Sequence, residues 1–285
     1  MTAKEIISRV TTAALHLYSE TEAQQMGRLV AMELGGLTLT DMVLAPEREC
    51  TIENFEAILR DIEAGRPLQY IIGKTEFCGL TFTVREGCLI PRPETEELVG
   101  WIVDNHKTAE ALTIADIGTG SGAIAVSLAK LLPMSSVYGL DISTDAIAIA
   151  RENSDRNVAD VTFGEADALQ GIENSEAMQG VAQLDIIVSN PPYIPQSESE
   201  AMRKNVLDFE PHMALFVEDH DPLIFYREIA KSGLTLLKSG GALYYEIHEI
   251  FRDETVTMLT QLGYIDIECR EDINQKPRMI CARRS

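Results

Sequence analysis

The sequence predicts an α/β protein with a doubly wound, mostly parallel sheet that carries an antiparallel edge strand, preceded by a small helical domain and a β-hairpin linker. From about residue 112 onward, short apolar runs typical of strands alternate with helical stretches, as in sheets with helices on both faces. A glycine-rich loop joins the first run to the helix after it. The last two runs are separated by only a few polar residues, which favours an antiparallel pair at the sheet edge.

Residues 1–74 are predicted to form the helical domain. Their apolar residues recur at helical spacing, for example at Ile6, Val10 and Ala14. Gly65 stands where the C-cap of a helix is expected. We therefore expect several short helices around one apolar core.

Residues 75–92 are predicted to form the hairpin linker. Two strand-like runs, 77–84 and 88–90, flank the polar segment 85–87. Gly87 belongs to that segment, and glycine adopts the backbone conformations that tight turns require. The turn of the hairpin is therefore expected at residues 85–87.

Residues 93–285 are predicted to form the sheet domain. Its first helix, 94–105, has a proline at its start and acids in its first turn, as the helix dipole prefers. The strand-like runs are 112–117, 137–140, 161–163, 184–189, 242–247, 264–269 and 278–283. The further helices are 123–132, 145–153 and 222–237, the last of them ended by Gly240 and Gly241. Ligand sites of such folds lie at the carboxyl ends of the strands.

Composition restricts the class of partner. The 285 residues include 24 basic and 45 acidic side chains, a formal net charge of −21, so the surface should repel nucleic-acid phosphates. The five cysteines show neither C-x-x-C spacing nor the density of a disulfide framework. No signal-peptide core and no run of about 18 apolar residues is present. We expect a cytoplasmic monomer that binds no free nucleic acid and no membrane.

The segment 116–122, Asp-Ile-Gly-Thr-Gly-Ser-Gly, is the predicted cofactor loop. It lies between a strand and a helix, where glycines let the backbone approach a ligand and the helix presents unpaired N–H groups. Its G-x-G-x-G spacing differs from the G-x-G-x-x-G of dinucleotide sites, and the lysine of a Walker loop is absent. Asp141 ends the next strand about twenty residues beyond Gly120, where a carboxylate can bind a ribose diol. A ribose without pyrophosphate indicates S-adenosylmethionine; a purely structural glycine turn is the alternative.

Two residues just beyond the third strand would lie near the adenine in this arrangement. Asp167 would act by charge or hydrogen bonding, and Ala168 through its backbone. The alternative for Asp167 is a solvated acid in a turn, which is a common role of aspartate.

The most informative motif is Asn190-Pro191-Pro192-Tyr193, directly after the strand 184–189. Because the two prolines have no N–H, this loop offers acceptors and almost no donors. It suits a conjugated NH2 group, either a carboxamide or an aromatic amine. The side-chain carbonyl of Asn190 and the main-chain carbonyl of Pro191 can each accept one hydrogen, aim the nitrogen at a sulfonium methyl and stabilise the developing positive charge. Tyr193 can pack on the planar group.

Other interpretations of these motifs stay open. The Asn-Pro-Pro-Tyr motif could be a rigid turn with a core tyrosine. The whole chain could methylate adenine N6 in nucleic acid, for which the same loop would serve, or be a catalytically silent cofactor-binding module. The five histidines are scattered and pair with no cysteine or acid at ligand spacing, so no metal site is expected. No Gly-x-Ser-x-Gly elbow surrounds Ser121, so hydrolase chemistry has no support.

Five segments together resemble a known family over nearly the whole chain. They are Arg66-Pro67-Leu68-Gln69-Tyr70-Ile71-Ile72-Gly73, Leu89-Ile90-Pro91-Arg92-Pro93-Glu94-Thr95-Glu96, residues 116–122, residues 190–193, and Glu210-Pro211 with Ala214-Leu215. The chain resembles the HemK-type peptide chain release factor glutamine methyltransferases, the PrmC family. Asn-Pro-Pro-Tyr alone is shared with adenine N6 methyltransferases, whereas the first two segments are typical of the glutamine enzymes.

The resemblance implies a class I S-adenosylmethionine-dependent methyltransferase fold. It also implies methyl transfer to the side-chain N5 of the glutamine in the Gly-Gly-Gln motif of class I release factors, with residues 1–74 helping to hold this protein substrate. By position, the implied cofactor contacts are Gly118, Thr119, Gly120, Ser121, Gly122, Asp141, Ala168 and Asn190. The implied glutamine site is Asn190, Pro191, Pro192 and Tyr193, with Asn190, Pro191 and Tyr193 as the catalytic residues.

The chain departs from the family pattern in three places. The family usually has Gly-Asp and an aromatic residue where this chain has residues 166–169, Ala-Asp-Ala-Leu, which bears on how the adenine packs. An arginine-tyrosine or similar pair is replaced by Asp208 and Phe209. Residues 246–249, Glu-Ile-His-Glu, replace a glycine-bearing stretch.

Overall fold

The computed structural model describes residues 1–107 and 111–285, which divide into two structural units. The first unit comprises Met1–Lys74 and Met202–Phe209, and the second comprises Thr75–Ala201 and Glu210–Ser285. The segment predicted as a linker, residues 75–92, therefore lies within the second unit. The membership of residues 202–209 in the first unit is a long-range feature that local sequence patterns do not indicate.

The helices and strands are numbered in chain order. The helices are α1 (Ala3–Ala14), α2 (Glu20–Glu33), α3 (Leu39–Leu44), α4 (Phe55–Glu63), α5 (Leu68–Ile72), α6 (Pro93–His106), α7 (Ala123–Leu131), α8 (Thr144–Asn157), α9 (Lys204–Phe209), α10 (Ile224–Leu236) and α11 (Arg252–Leu262). The strands are β1 (Lys74–Phe77), β2 (Leu80–Thr83), β3 (Thr113–Ile117), β4 (Ser136–Asp141), β5 (Val161–Glu165), β6 (Leu184–Ser189), β7 (Ile194–Pro195), β8 (Phe216–Val217), β9 (Leu237–Glu246), β10 (Tyr264–Glu271) and β11 (Pro277–Arg284). No described helix has the length and apolarity that crossing a bilayer requires.

Three helices of the first unit begin with a capping box. At the start of α1, the Thr2 hydroxyl accepts from the N–H of Glu5, and the Glu5 carboxylate accepts from the N–H of Thr2. The helices α2 and α3 begin in the same way at Ser19 and Thr38. Each box satisfies two backbone donors that the helix itself leaves unpaired. The apolar core between the helices includes the fully buried Ile6, Val10, Val30 and Ile62.

The second unit contains a seven-stranded sheet with the order β10-β11-β9-β6-β3-β4-β5. The strands from β9 to β5 pair in parallel, and β11 pairs antiparallel with both β9 and β10. The predicted doubly wound, mostly parallel sheet with an antiparallel edge is confirmed. Because the chain proceeds from β3 towards β5 and then returns to β6 on the other side of β3, the strand order reverses between β3 and β6. A crevice for ligands is expected at the carboxyl ends of these strands.

Helices cover both faces of this sheet. Ile186 and Val188 of β6 belong to one core cluster and Ile187 to the other, as the alternation of side chains along a strand requires. The helices α6, α7 and α8 contribute to the first cluster, and α10 and α11 to the second. Burial on both faces explains why the central strands are near-continuous apolar runs in the sequence.

The hairpin differs from its prediction. The strands β1 and β2 pair about Cys78 and Gly79, whose φ angles are both positive, at 50° and 73°. Two-residue hairpin turns of type I′ have positive φ at both central residues, and glycine adopts this conformation without strain. A turn does exist at residues 85–87, where the Cys88 N–H donates to the Arg85 carbonyl at 3.3 Å, but it is not the turn of the hairpin, and the strand predicted at 88–90 was wrong.

Two asparagines of α8 hold the backbone of β2. The Thr83 N–H donates to Asn153 Oδ1 at 2.6 Å, and Asn153 Nδ2 donates to the Thr83 carbonyl at 3.0 Å. One helical turn later, Asn157 Nδ2 donates to the Thr81 carbonyl at 2.9 Å. Residues four apart on a helix share one face, so this pair matches alternate residues of the strand. These bonds attach the hairpin to the sheet unit.

A second difference concerns Gly240 and Gly241, which were predicted to end a helix. The helix α10 ends at Leu236 and β9 begins at the next residue, so both glycines lie inside the strand. Gly240 has a φ of 76°, and the pairing of β6 with β9 shifts register between Leu184 and Ile186. Between the pairs Leu184–Leu237 and Ile186–Ala242, β9 has three residues more than β6, and a glycine with positive φ accommodates this irregularity. The other predicted helices and strands of this unit overlap the observed ones.

Candidate functional site

A cavity of about 320 Å³ lies at the carboxyl ends of β3, β4 and β6, where the strand order reverses. Its volume is in the range of small-molecule sites. The predicted site residues that line it are Gly118, Gly120, Asp141, Asp167, Ala168, Asn190, Pro191 and Pro192. The predicted residues outside its lining are Thr119, Ser121, Gly122 and Tyr193. Within the described part of the chain, no group of three or more His, Cys, Asp or Glu side chains could hold a metal ion.

Two glycines of the cofactor loop leave room for a ligand. Gly118 and Gly120 have φ angles of 73° and 55°, and a Cβ atom at either position would have no heavy atom within 4 Å. The N–H groups of Gly118 and Thr119 donate to the Leu140 carbonyl at 2.8 and 2.9 Å. These bonds tie the loop to the neighbouring strand β4. The loop backbone is therefore fixed while its cavity side stays open.

Thr119, Ser121 and Gly122 support the loop without lining the cavity. Thr119 Oγ1 donates to Asp116 Oδ2 at 2.6 Å, and the Ser121 carbonyl accepts from Asn153 Nδ2 at 2.9 Å. A Cβ atom on Gly122 would lie 3.0 Å from the Cβ of Ala150 in α8, so glycine allows close helix packing here. These residues shape the loop without lining the cavity.

Asp141 lies at the end of β4 and lines the cavity. Its Oδ2 accepts from the Gly120 N–H at 2.8 Å, and its Oδ1 accepts from the Ser143 N–H at 2.9 Å. Burial raises the pKa of Asp141, while the backbone donors oppose this rise. Each carboxylate oxygen retains acceptor capacity beyond these bonds, so Asp141 could also accept from the hydroxyls of a ligand.

Asp167 and Ala168 lie beside the cavity beyond β5. Asp167 Oδ1 accepts from the N–H of Leu169 at 2.9 Å, and its Oδ2 accepts from the side chain of Gln170 at 2.8 Å. The aspartate therefore closes its own turn while it borders the cavity. Both roles considered for Asp167 from the sequence are compatible with this position.

The Asn-Pro-Pro-Tyr segment follows β6, and its first three residues line the same cavity as the glycine loop. Asn190 Nδ2 donates to Thr95 Oγ1 at 3.2 Å. The Tyr193 hydroxyl donates to Glu246 Oε1 at 3.0 Å. Burial is the main cause that raises the pKa of Tyr193, so its hydroxyl keeps its proton.

Sequence reasoning missed two residues of this site, Thr95 and Glu246. Thr95 Oγ1 donates to Glu246 Oε2 at 2.6 Å, and both side chains are buried. Thr95 lies in the first turns of α6, and Glu246 ends β9, the strand beside β6. The position of Glu246 at the carboxyl end of a predicted parallel strand was the signal that could have identified it.

An ion pair fixes one wall of the cavity. Arg92 Nη2 lies 2.6 Å from Glu210 Oε1, and Glu210 Oε2 accepts from the N–H of Ile90 at 3.3 Å. The Glu210 side chain is almost fully buried, so loss of Arg92 would leave an uncompensated charge. The pair holds the start of α6 against Pro211, which lines the cavity.

Asp116 lies at the end of β3, fully buried beneath the glycine loop. Its Oδ2 accepts from Thr119 and from the Ala125 N–H, whereas its Oδ1 has no hydrogen-bond partner among the described residues. Burial raises the pKa of Asp116 to about 7, although both donors oppose this rise. Near neutral pH this carboxyl is therefore only partly ionised.

This pKa predicts a pH-dependent stability. An aspartate in an unfolded chain has a pKa of about 3.9, so between pH 4 and pH 7 the folded protein holds a proton that the unfolded chain has released. The Asp116 contribution to the free energy of unfolding should fall as pH rises through this window, by about 1.4 kcal/mol per unit of pKa difference. Asp116→Asn has no proton to lose, so it should gain stability relative to the wild type as pH rises. Urea unfolding of both proteins from about pH 5 to about pH 8 measures this; a pH-independent difference would contradict it.

Two family descriptions match the sequence. Residues 9–73 match the PrmC N-terminal domain, and residues 108–276 match a methyltransferase domain. Among full-length relatives, the release factor glutamine methyltransferase of Flavobacterium psychrophilum is 40% identical over 98% of this chain and 98% of its own length. The release factor glutamine methyltransferase of Bacteroides thetaiotaomicron is 42% identical over 94% of this chain and 95% of its own length.

Solved structures share the fold at low sequence identity. A methyltransferase from Pyrococcus furiosus has a TM-score of 0.53 and 15% identity, covering 73% of this chain and 90% of that one. The 16S rRNA N2 G1207 methyltransferase of T. thermophilus has a TM-score of 0.54 and 15% identity, covering 74% of this chain and 50% of that one. At this identity the likeness concerns the fold and not the substrate.

Proposed function

Because this chain belongs to the release factor glutamine methyltransferases, we propose that it transfers a methyl group from S-adenosylmethionine to the glutamine side chain of a peptide chain release factor. The fold of the second unit is that of class I S-adenosylmethionine-dependent methyltransferases. One observation carries the proposal: the open glycine loop and the acceptor-rich segment 190–192 border the same cavity. A methyl donor and a planar amide could therefore meet there.

The residues around the cavity fit S-adenosylmethionine. The open positions at Gly118 and Gly120 let the backbone lie against a ligand, and Asp141 can accept from a ribose diol. Asp167 and Ala168 would border the adenine, and Asn190 would lie near the methyl donor. Thr119, Ser121 and Gly122 would hold the loop in its shape. When bound, this cofactor supplies an electrophilic methyl group on a positively charged sulfur.

The substrate amide would be held by acceptors alone. The side-chain oxygen of Asn190 and the carbonyl of Pro191 can each accept one hydrogen of the glutamine NH2. Pro191 and Pro192 have no N–H that could compete for the same atoms. These acceptors would orient the nitrogen, and they would stabilise it more strongly as positive charge develops on it. Tyr193 follows Pro192 directly but lies outside the cavity lining, so its ring contact with the amide stays a prediction; such a contact would fix the plane of the amide.

The preferred substrate of this proposal is the Gly-Gly-Gln motif of class I release factors, methylated at N5. We assign residues 1–74 to recognition of this protein substrate, residues 75–92 to the hairpin linker and residues 93–285 to the methyltransferase domain. The enzyme would act as a monomer, without free nucleic acid or membrane as a partner. The strongly acidic composition supports a basic protein partner.

The charge predicts how salt affects the reaction. A release factor domain that enters a cavity of ribosomal RNA is expected to be basic, so a chain with a net charge of −21 should attract it. We expect kcat/KM to fall severalfold as ionic strength rises from about 0.05 M to about 0.5 M, while kcat changes little. Steady-state kinetics with an intact release factor measure this. A short uncharged peptide with Gly-Gly-Gln is the control, and equal salt dependence of both substrates would contradict the attraction.

Incubation of the chain with a release factor and methyl-labelled S-adenosylmethionine tests the function. Mass spectrometry should locate the label on the glutamine of Gly-Gly-Gln, and a release factor with glutamate at that position should stay unlabelled. Label on adenine of added nucleic acid would instead support an adenine N6 methyltransferase. Cofactor binding without any transfer would support a silent module.

A further inference from the structure

Three hydrogen bonds converge behind the Asn-Pro-Pro-Tyr segment. Asn190 Nδ2 donates to Thr95 Oγ1 at 3.2 Å, and Thr95 Oγ1 donates to Glu246 Oε2 at 2.6 Å. The Tyr193 hydroxyl donates to the other oxygen, Glu246 Oε1, at 3.0 Å. One carboxylate thus connects to both the first and the last residue of the motif.

The environment of Glu246 makes this arrangement rigid. Glu246 and Thr95 are 1% and 4% exposed, so water does not compete for their hydrogen bonds. Burial raises the pKa of Glu246 and the charge of Glu94 adds to this rise, while Thr95, Tyr193 and the positive charge of Arg278 oppose it without cancelling it. Arg278 itself is held by Asp272 at 3.2 Å.

Glu246 accepts a hydrogen bond from a hydroxyl at each of its two carboxylate oxygens, and this determines the direction of the other bonds. A carboxylate only accepts, so the single hydrogen of the Thr95 hydroxyl must be used towards Glu246. Thr95 Oγ1 then has only lone pairs to offer Asn190, which must turn its NH2 towards Thr95. The Asn190 Oδ1 is consequently left for another donor. Without this carboxylate, the Thr95 hydroxyl could either donate to Asn190 or accept from it. The amide of Asn190 could then take either orientation.

We propose that Glu246 is a positioning residue, which acts through Thr95 to fix the amide of Asn190 with its oxygen towards the substrate nitrogen. This inference rests on the proposed function, because it concerns the same acceptor. With the opposite orientation, Asn190 would present an NH2 group to the NH2 of the glutamine. Two donors cannot form a hydrogen bond, and the delocalised lone pair of an amide nitrogen is a poor acceptor.

Two substitutions test this relay, by which we mean the hydrogen bonds that lead from Glu246 through Thr95 to Asn190. In Glu246→Gln, the side chain has one acceptor and one donor end, so it cannot accept from both hydroxyls. In Thr95→Val, a side chain of similar shape offers neither donor nor acceptor. We expect either substitution to lower kcat about tenfold, with a smaller change in KM, since the Asn190 acceptor matters most in the transition state. Thr95→Ser keeps the hydroxyl and should restore most of the activity.

Further measurements separate positioning from a loss of structure. Calorimetry should give an unchanged affinity for S-adenosylmethionine, and thermal unfolding should show that the variants are folded. Asp185→Asn is the matched control, because Asp185 lies at the opposite end of β6 and pairs with Lys238 at 2.8 Å. It should keep the wild-type kcat.

A double-mutant cycle gives the decisive result. If Glu246 acts through Asn190, Glu246→Gln should have little further effect on kcat in the Asn190→Ala background. An undiminished tenfold loss in that background, or wild-type kcat in both Glu246→Gln and Thr95→Val, would overturn the relay. Absence of release factor methylation by the wild type would instead reject the proposed function, so the two failures are distinguishable.

Discussion

We expect Asn190→Ala to lower kcat for methyl transfer by about 10²–10³-fold, as found when one preorganised group that stabilises a transition state is removed. The substitution removes an acceptor at the cavity edge and leaves Thr95 without its donor. The glycine loop and Asp141 are untouched, so the affinity for S-adenosylmethionine should change by less than about threefold. Single-turnover kinetics with a saturating release factor and calorimetry with the cofactor measure the two quantities.

Asn190→Asp is the informative companion variant. Aspartate keeps an acceptor at the same position but cannot donate to Thr95. Its activity should therefore lie between those of the wild type and of Asn190→Ala. If Asn190→Ala retains more than about a tenth of the wild-type kcat, capture of the amide by this acceptor is not the source of catalysis.

The second large effect is expected for Asp141→Ala, which should weaken S-adenosylmethionine binding about 10–100-fold. The substitution would remove the acceptor proposed for the ribose diol, and it would also remove the partner of the Gly120 N–H. Because Gly120 lines the cavity, the loop backbone would lose part of its fixed shape. Isothermal titration calorimetry measures the change directly.

Asp145→Ala is the matched control for this prediction. Asp145 is an exposed acid in the first turn of α8, only four residues further along the chain, and it does not line the cavity. Its removal changes the net charge by the same amount as Asp141→Ala. Equal affinities of the two variants would refute the assignment of Asp141 to the ribose.

Much of the sheet unit was predictable because its signals are local. The strand β6 has the predicted bounds, since a short apolar run that ends at Asn190-Pro191 has few other interpretations. Gly240-Gly241 misled the prediction because two glycines after an apolar helix are also what a helix end requires. Only the pairing of β9 with β6 reveals that they lie in an irregular stretch within the strand. Similarly, Cys78-Gly79 became identifiable as a turn only from its backbone angles.

The site was predictable in part for the same reason. Asp141 and Asn190 were expected at one edge because the carboxyl ends of parallel strands meet there, and both line the cavity. Thr95 and Glu246 are 151 residues apart, and their contact depends on how α6 packs against β9. No local pattern encodes such a packing. The membership of residues 202–209 in the first unit is long-range in the same way.

The hydrogen bonds from Asn153 and Asn157 to β2 limit where this protein can be truncated. A fragment cut at Pro93 would lack Thr81 and Thr83, leaving Asn153 and Asn157 of α8 without three of their hydrogen bonds. A typical intramolecular hydrogen bond contributes about 0.5–1.5 kcal/mol to stability, so the loss of these three bonds would destabilise the fragment. Asn153 also steadies the Ser121 carbonyl, so the damage would reach the cofactor loop. An expression fragment of the second unit should therefore begin no later than Lys74, the first residue of β1, so that the whole hairpin is retained.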